Sequence, residues 1–185
     1  MTKLLIGLFT LSSLFCFASE VEKCALEAQR KLNFREWNIT SLCSAATSNA
    51  PIDCALKAQE KLGFHEWNIA SLCSSATTNA PVACIIKAQE KLNFREWDIT
   101  SLCASASSNA PVDCALKAQE KLNFADHDVV SLCSGTVSDA PVDCALEAKD
   151  NTPDFQNFNI VNLCRSEKQS ELKNKLMYKY YRSNN

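Results

Sequence analysis

The fold of this chain is decided by residues 50–79, APIDCALKAQEKLGFHEWNIASLCSSATTN, and by their near-copy in residues 80–109, APVACIIKAQEKLNFREWDITSLCASASSN. The same pattern fills residues 19–49, 110–139 and 140–164, so five copies follow one another at a period of 30 residues. Self-similarity at a fixed period of this size is typical of solenoids, in which each repeat is one supersecondary unit. We therefore expect five stacked copies of one small motif.

Two cysteines recur in each repeat, and together they make ten. They are Cys24 and Cys43, Cys54 and Cys73, Cys84 and Cys103, Cys114 and Cys133, and Cys144 and Cys164. An even number of cysteines in a secreted chain predicts disulfides. Pairing within each repeat uses all ten thiols, whereas joining each repeat's second cysteine to the next repeat's first leaves Cys24 and Cys164 unpaired. We favour pairing within the repeat.

Zinc is the alternative use of these cysteines. Zinc sites need closely spaced ligand pairs such as C-x-x-C, but these cysteines are 11 and then 19 or 20 residues apart, and the chain has only two histidines, His65 and His127. We therefore expect neither a metal nor another cofactor.

The first half of each repeat predicts a helix of about 12 residues. Pro51, Pro81, Pro111 and Pro141 suit its first turn, and the first repeat opens instead with Ser19 and Glu22 at capping-box spacing. Asn or Gly in the left-handed conformation is expected to end this helix, at Asn33, Gly63, Asn93 and Asn123. In the fifth repeat one extra residue enters near Thr152, Pro153 and Asp154.

The second half of each repeat predicts a shorter helix. Ile39, Leu42, Cys43 and Ala46 form one apolar stripe at helical spacing. Its start has two candidate positions. The N-cap is either the polar residue at Asn38, Asn68, Asp98, Asp128 and Asn159, or the helix begins earlier, with the acid at Glu36, Glu66, Glu96 and Asp126 in its first turn.

Two short helices joined by a few residues pack antiparallel, which brings the two cysteines of a repeat together. The sequence thus predicts an all-α fold: a solenoid of five disulfide-stapled helical hairpins with a C-terminal capping helix. Residues 165–185 are basic and carry Leu172, Leu176 and Tyr180 at helical spacing, as a capping helix would. The other interpretation of this tail is a membrane-surface or partner-binding segment.

Residues 1–18 predict a secretory signal peptide, since Lys3 precedes a short apolar run and Ala18 suits the cleavage site. A lipid anchor at Cys16 is the alternative, but Phe15 precedes that cysteine where a small residue is wanted. We expect the mature protein to be secreted or periplasmic, with membrane contact only through the tail.

Charge is divided along the chain. Residues 19–164 hold 12 Lys and Arg against 19 Asp and Glu, whereas residues 165–185 hold 6 against 2. Because phosphate binding needs a positive surface, the acidic repeats argue against nucleic acid as a partner.

One repeat position carries an aromatic series that we call the aromatic ladder: Trp37, Trp67 and Trp97, continued by His127 and then Phe158. Stacked repeats would align these side chains along one edge, where they could bind a sugar chain or a peptide. The alternative is that they pack between the hairpins beside the Phe34 series. A mixed row of Arg35, His65 and Arg95 with Glu36, Glu66 and Glu96 flanks them.

No residue pattern predicts an enzyme, because a cysteine nucleophile needs a free thiolate with a base beside it. The repeats resemble, in architecture only, the cysteine-rich helical-hairpin proteins of the Sel1-like and tetratricopeptide type. That resemblance implies a binding or scaffolding role, with a protein or cell-envelope component as partner, and transfers no site residue. The alternative is a structural surface or matrix protein that assembles with itself.

Overall fold

The computed structural model describes residues 19–165, and within that range it contains ten α-helices and no strand. The predicted signal peptide and capping helix lie outside the described residues. The helices are α1 (Glu20–Lys31), α2 (Glu36–Cys43), α3 (Ala50–Lys61), α4 (Glu66–Cys73), α5 (Ala80–Lys91), α6 (Glu96–Cys103), α7 (Ala110–Lys121), α8 (Asp126–Cys133), α9 (Ala140–Asn151) and α10 (Asn157–Cys164). Across residues 19–165 no helix has the length and apolar character that a membrane crossing needs.

The helices form two layers. The odd-numbered helices have 12 residues and the even-numbered helices have 8. Each odd helix packs against the next odd helix, each even helix against the next even helix, and the two helices of a repeat against each other. This nearest-neighbour pattern confirms the predicted solenoid of helical hairpins.

All five disulfides join the two cysteines of one repeat, as predicted. The bonds are Cys24–Cys43, Cys54–Cys73, Cys84–Cys103, Cys114–Cys133 and Cys144–Cys164, each with a Cα–Cα distance of 5.6 Å. They link the first turn or two of each long helix to the last residue of the short helix. Five disulfides in so small a chain indicate an oxidising environment.

Small and branched apolar side chains fill the space between the layers. The alanines Ala28, Ala58, Ala88, Ala118 and Ala148 are buried, and so are Leu42, Leu72, Leu102 and Leu132 on the short helices. Alanine at this position lets adjacent long helices approach closely, while the leucines fill the gap beneath them. One continuous core therefore runs through all five repeats.

The starts of the long helices agree with the sequence prediction, but most of their ends do not. Ser19 and Glu22 form the predicted capping box. The prediction of a left-handed stop is correct only at Gly63, which has φ +62°. At Asn33, Asn93 and Asn123 it is wrong, because the backbone there does not enter the left-handed region.

The ends differ because a buried leucine, and not the asparagine, sets the path of the chain. Leu32 and Leu92 follow the last helical residue in an extended conformation, and their N–H groups donate to the carbonyls of Ala28 and Ala88. Both leucine side chains are buried. The chain thus leaves the helix in the direction that places the leucine in the core. In the fifth repeat the extra residue lies between α9 and α10, as predicted.

The short helices begin at the earlier of the two predicted positions. Glu36 is the first residue of α2, and Arg35 before it makes no side-chain capping bond. The proposed caps Asn38, Asn68, Asp98, Asp128 and Asn159 are therefore wrong: they lie in the third helical position. The first four are buried, whereas Asn159 in the last repeat is exposed. The next repeat therefore covers this position.

Candidate binding edge

The three tryptophans of the aromatic ladder lie about half exposed at the start of the short helices. The exposed fractions are 57% for Trp37, 48% for Trp67 and 51% for Trp97. Each tryptophan is the second residue of its helix, and the helices α2, α4 and α6 pack side by side. The three side chains therefore form one row on the layer of short helices, with nearly equal access to solvent.

The neighbouring phenylalanines are more deeply buried than the tryptophans. Phe34 and Phe94 are buried, and Phe64 and Phe124 pack partly buried against the core. Each of them precedes the ladder position by three residues, in the loop between the two helices. They hold the loop against the core, while the tryptophan that follows in each of the first three repeats is about half exposed.

After the third repeat the ladder position no longer carries tryptophan. His127 is largely exposed, and its Nε2 lies 3.3 Å from Oδ1 of Asp128. Phe158 in the last repeat is 65% exposed. The edge therefore continues as an exposed row, but the indole rings occupy the first three repeats alone.

Exposed serines lie one helical turn beyond the ladder. Ser41, Ser71, Ser101 and Ser131 follow the ladder positions by four residues, and all four are exposed. Residues four apart share one face of a helix. Each tryptophan therefore has a hydroxyl-bearing residue as its neighbour on the solvent-facing surface.

Charged residues flank the ladder and connect successive repeats. Glu66 accepts a hydrogen bond from the backbone N–H of Arg35 at 2.9 Å, and its other oxygen lies 3.2 Å from the Arg35 Nε. At the next boundary, the Asn68 side-chain amide donates to Glu96. Glu66 and Glu96 of the mixed row thus each contact the preceding repeat.

Polar groups are buried beneath this edge, at the boundaries between repeats. Both polar side-chain atoms of Asn38 lack a hydrogen-bond partner, as does one oxygen of Asp98. Burial raises the pKa of Asp98, and the nearby carboxylate of Asp126 raises it further, while Arg95 and His127 act in the opposite direction. The third and fourth repeats therefore meet across two acids, where the first three repeats meet across asparagines.

A second set of cross-repeat contacts lies on the long helices. The Lys87 Nζ is 2.5 Å from Asp113, and the Lys117 Nζ is 2.7 Å from both Asp139 and Asp143. These two acids raise the pKa of Lys117. Sequence reasoning missed these pairs. In the sequence these pairs correspond to a Lys followed 26 residues later by an Asp. That spacing indicates an ion pair only once the stacking of the repeats is known.

All ten cysteines in residues 19–165 are in disulfides, and no group of three or more His, Cys, Asp or Glu is close enough in that range to hold a metal ion. A shallow depression borders Trp37, between Glu36 and Thr40.

Comparison with known protein families, with curated proteins and with solved structures finds no match to this chain.

Proposed function

We propose that the protein is a secreted or periplasmic, non-enzymatic interaction module that binds a protein or a cell-envelope component through the aromatic ladder. The observation that carries this proposal is the half-exposed row of Trp37, Trp67 and Trp97. Large aromatic side chains dominate binding energy at interfaces because they desolvate much apolar area at low entropic cost. The three tryptophans lie in one row, and the exposed half of each contributes to an apolar surface outside the core.

Two features support the proposed location. The disulfides require an oxidising compartment, and the sequence of residues 1–18 is typical of a secretory signal. In such a compartment the disulfides also keep the hairpins rigid. A rigid surface loses little conformational entropy on binding.

The test compares the wild type with a ladder variant, Trp37→Ala/Trp67→Ala/Trp97→Ala. Each protein is incubated with a cell-envelope fraction of the producing organism that is either untreated or has been digested with protease. The amount of protein retained on the fraction is then measured. We expect at least tenfold weaker retention of the ladder variant. Retention that survives protease identifies a non-protein partner, and retention that is lost identifies a protein.

The matched control is Leu26→Ala/Ile86→Ala/Val137→Ala, which removes three exposed apolar side chains outside the ladder. We expect this control to be retained like the wild type. Equal retention of the wild type, the ladder variant and the control would contradict the proposal.

Stability separates binding from packing. Because Trp67 is only about half buried, Trp67→Ala is expected to lower the free energy of unfolding by about 1 kcal/mol and Tm by about 3 °C. Leu72→Ala, on the same helix but fully buried, is expected to cost about 2–5 kcal/mol. A comparable loss in both variants, measured by thermal unfolding, would assign Trp67 to packing.

Self-assembly into a surface or matrix is the second candidate. The exposed Phe155 and Phe158 in the last repeat favour it. The first repeat opposes it: Glu22 occupies the position at which Ile52 and Val82 are buried in later repeats. End-to-end growth in the geometry of the internal repeats would bury that carboxylate, which is costly without a partner.

A further inference from the structure

We infer that the aromatic ladder binds a linear polysaccharide of pyranose units with little net charge, whose sugar rings stack on Trp37, Trp67 and Trp97. This inference rests on the proposed binding function and names the class of its partner.

Repetition of the site is the first argument. The three tryptophans occupy the same helical position in consecutive repeats, with exposed fractions between 48% and 57%. Helices that pack side by side are about 8–10 Å apart, so the row spans about 20 Å. A ligand that repeats along its length can occupy equal sites at equal spacing in the same way. A polymer that occupies one site is held near the next at high effective concentration.

The exposure of the indole rings is the second argument. Phe34 and Phe94, three residues before the ladder, are buried, whereas Trp37, Trp67 and Trp97 are each about half exposed. Each of the three repeats therefore leaves part of an indole ring open to solvent, where a sugar ring can stack on it.

The third argument is charge. Arg35 and Arg95 alternate along the edge with Glu36 and Glu96, and Glu66 is paired with Arg35. Such an edge offers neither the continuous positive surface that a polyanion needs nor the continuous negative surface that a polycation needs. The repeats as a whole hold 12 basic against 19 acidic residues, which further disfavours a polyanion. A ligand of low net charge is the one that fits.

The fourth argument is the neighbouring hydroxyls. Sugar rings have apolar C–H faces and hydroxyl edges, so they need an aromatic face with hydrogen-bonding groups beside it. The exposed Ser41, Ser71 and Ser101 lie one turn beyond the three tryptophans. A serine hydroxyl both donates and accepts hydrogen bonds, which suits the hydroxyl groups of a sugar.

The test uses the protein's own fluorescence, because the chain contains three tryptophans and all of them belong to the ladder. Soluble cello-, chito- and xylo-oligosaccharides of increasing length are titrated into the full chain, with heparin as the charged comparison. We expect emission to shift to shorter wavelength with at least one neutral series. Affinity is expected to rise with oligosaccharide length until the ligand reaches all three tryptophans.

Variants assign the effect to individual rings. Each single Trp→Ala change is expected to weaken binding roughly two- to tenfold, since an aromatic contact contributes about 0.5–1.5 kcal/mol beyond its buried area. Trp67→Phe, which keeps an aromatic face, is expected to recover most of the loss in Trp67→Ala. The control Leu26→Ala/Ile86→Ala/Val137→Ala is expected to bind like the wild type.

Two outcomes would overturn the inference. One is an emission spectrum that no neutral series changes, and the other is tighter binding to heparin than to any neutral oligosaccharide. If in either case the ladder variant still loses retention on the envelope fraction, the proposed function stands and the partner is not a neutral polysaccharide. If retention is also unaffected, both proposals fail.

Discussion

At the scale of single residues, the third position of the short helices shows how one buried polar side chain affects the stability of the contact between two repeats. Asn38, Asn68, Asp98 and Asp128 occupy equivalent positions, and the following repeat buries all four. The asparagines are neutral, whereas an ionised Asp98 has one oxygen without a partner. A buried charge without full hydrogen bonding opposes folding.

We predict that Asp98→Asn stabilises the protein at neutral pH. The pKa of Asp98 is raised by burial and by Asp126, with Arg95 and His127 opposing. The folded state therefore holds more protons than the unfolded state between the ordinary aspartate pKa and the raised one, and stability falls as pH rises through that window. The variant removes this loss, so it is expected to gain about 1 kcal/mol, or about 3 °C in Tm, at pH 7.

The measurement is thermal unfolding of wild type and variant from about pH 3, below the ordinary aspartate pKa, to pH 7. The gain is expected to shrink toward the acidic end, where Asp98 is protonated in both states. Asp154→Asn, at an exposed position in the loop between α9 and α10, is the control for a change of net charge. An equal gain at every pH would contradict the titration of Asp98 as its cause.

At the scale of the elements, the disulfide is what allows so short a hairpin to be a stable unit. A long helix of 12 residues and a short helix of 8 are each at or below the length at which an isolated helix is stable in water. The bond closes a loop of about 20 residues and restricts the unfolded chain, by about 3 kcal/mol on the loop-entropy model.

We predict that Cys84→Ala/Cys103→Ala lowers Tm by about 10 °C, from a loss of about 3 kcal/mol. Because this hairpin lies in the middle of the array, the repeats on its two sides are expected to unfold less cooperatively. Thermal unfolding followed by circular dichroism measures both effects. Cys24→Ala/Cys43→Ala in the first repeat is the comparison. If its unfolding transition is broadened as much as that of the central variant, the position of the disulfide within the array does not determine the loss of cooperativity.

The cross-repeat ion pairs of the long helices provide a second prediction at this scale. Lys87 pairs with Asp113 and Lys117 with Asp143, but the residue that corresponds to these acids opposite Lys57 is Ala83. Ala83→Asp is expected to restore the missing pair and to place an acid in the first turn of α5, which has none. We expect a gain of about 0.5–1 kcal/mol at low salt.

Unfolding at low and at high salt tests this prediction, because salt screens exposed charges. The gain is expected to diminish at high salt. Ala83→Asn keeps a polar side chain of similar size without the charge, and an equal gain in that variant would show that the ion pair is not responsible.

At the scale of the whole molecule, the outer face of the first repeat determines whether one solenoid associates with another. Repeats two to five bury an apolar residue at this position, namely Ile52, Val82, Val112 and Val142, while the first repeat carries Glu22 there. Glu22 also completes the capping box with Ser19. The same carboxylate thus caps α1 and keeps the first repeat's outer face polar.

We predict that the wild type is monomeric over a wide range of concentration and that Glu22→Val associates. The valine gives the outer face the apolar residue that internal repeats bury against a neighbour. Light scattering at increasing protein concentration measures the effect. Glu22→Gln, which keeps the face polar and preserves a capping-box side chain, is expected to stay monomeric. Concentration-dependent growth of the wild type itself would favour the self-assembling alternative.

Much of the fold follows from the sequence because its signals are local. The period of 30 residues, the first-turn prolines, the apolar stripe at Ile39 and Leu42 and the pairing of Cys24 with Cys43 all act within one hairpin. Hairpin geometry brings the two cysteines of a repeat together whatever the neighbouring repeats do. The wrong predictions concern residues whose surroundings come from elsewhere: the chain leaves α1 through a buried Leu32, so Asn33 is not needed in the left-handed conformation.

The sequence alone determined the repeat, the helices and the disulfides, and the tertiary structure alone decided which side of each hairpin meets the next. That choice buries Asn38 and Asp98 between repeats, leaves Trp37, Trp67 and Trp97 half exposed, and sets Lys87 against Asp113. The physical reason is that a helical period specifies which residues share a face, but the rotation of one hairpin on the next depends on packing between residues far apart in the chain. The candidate binding edge is a product of that rotation.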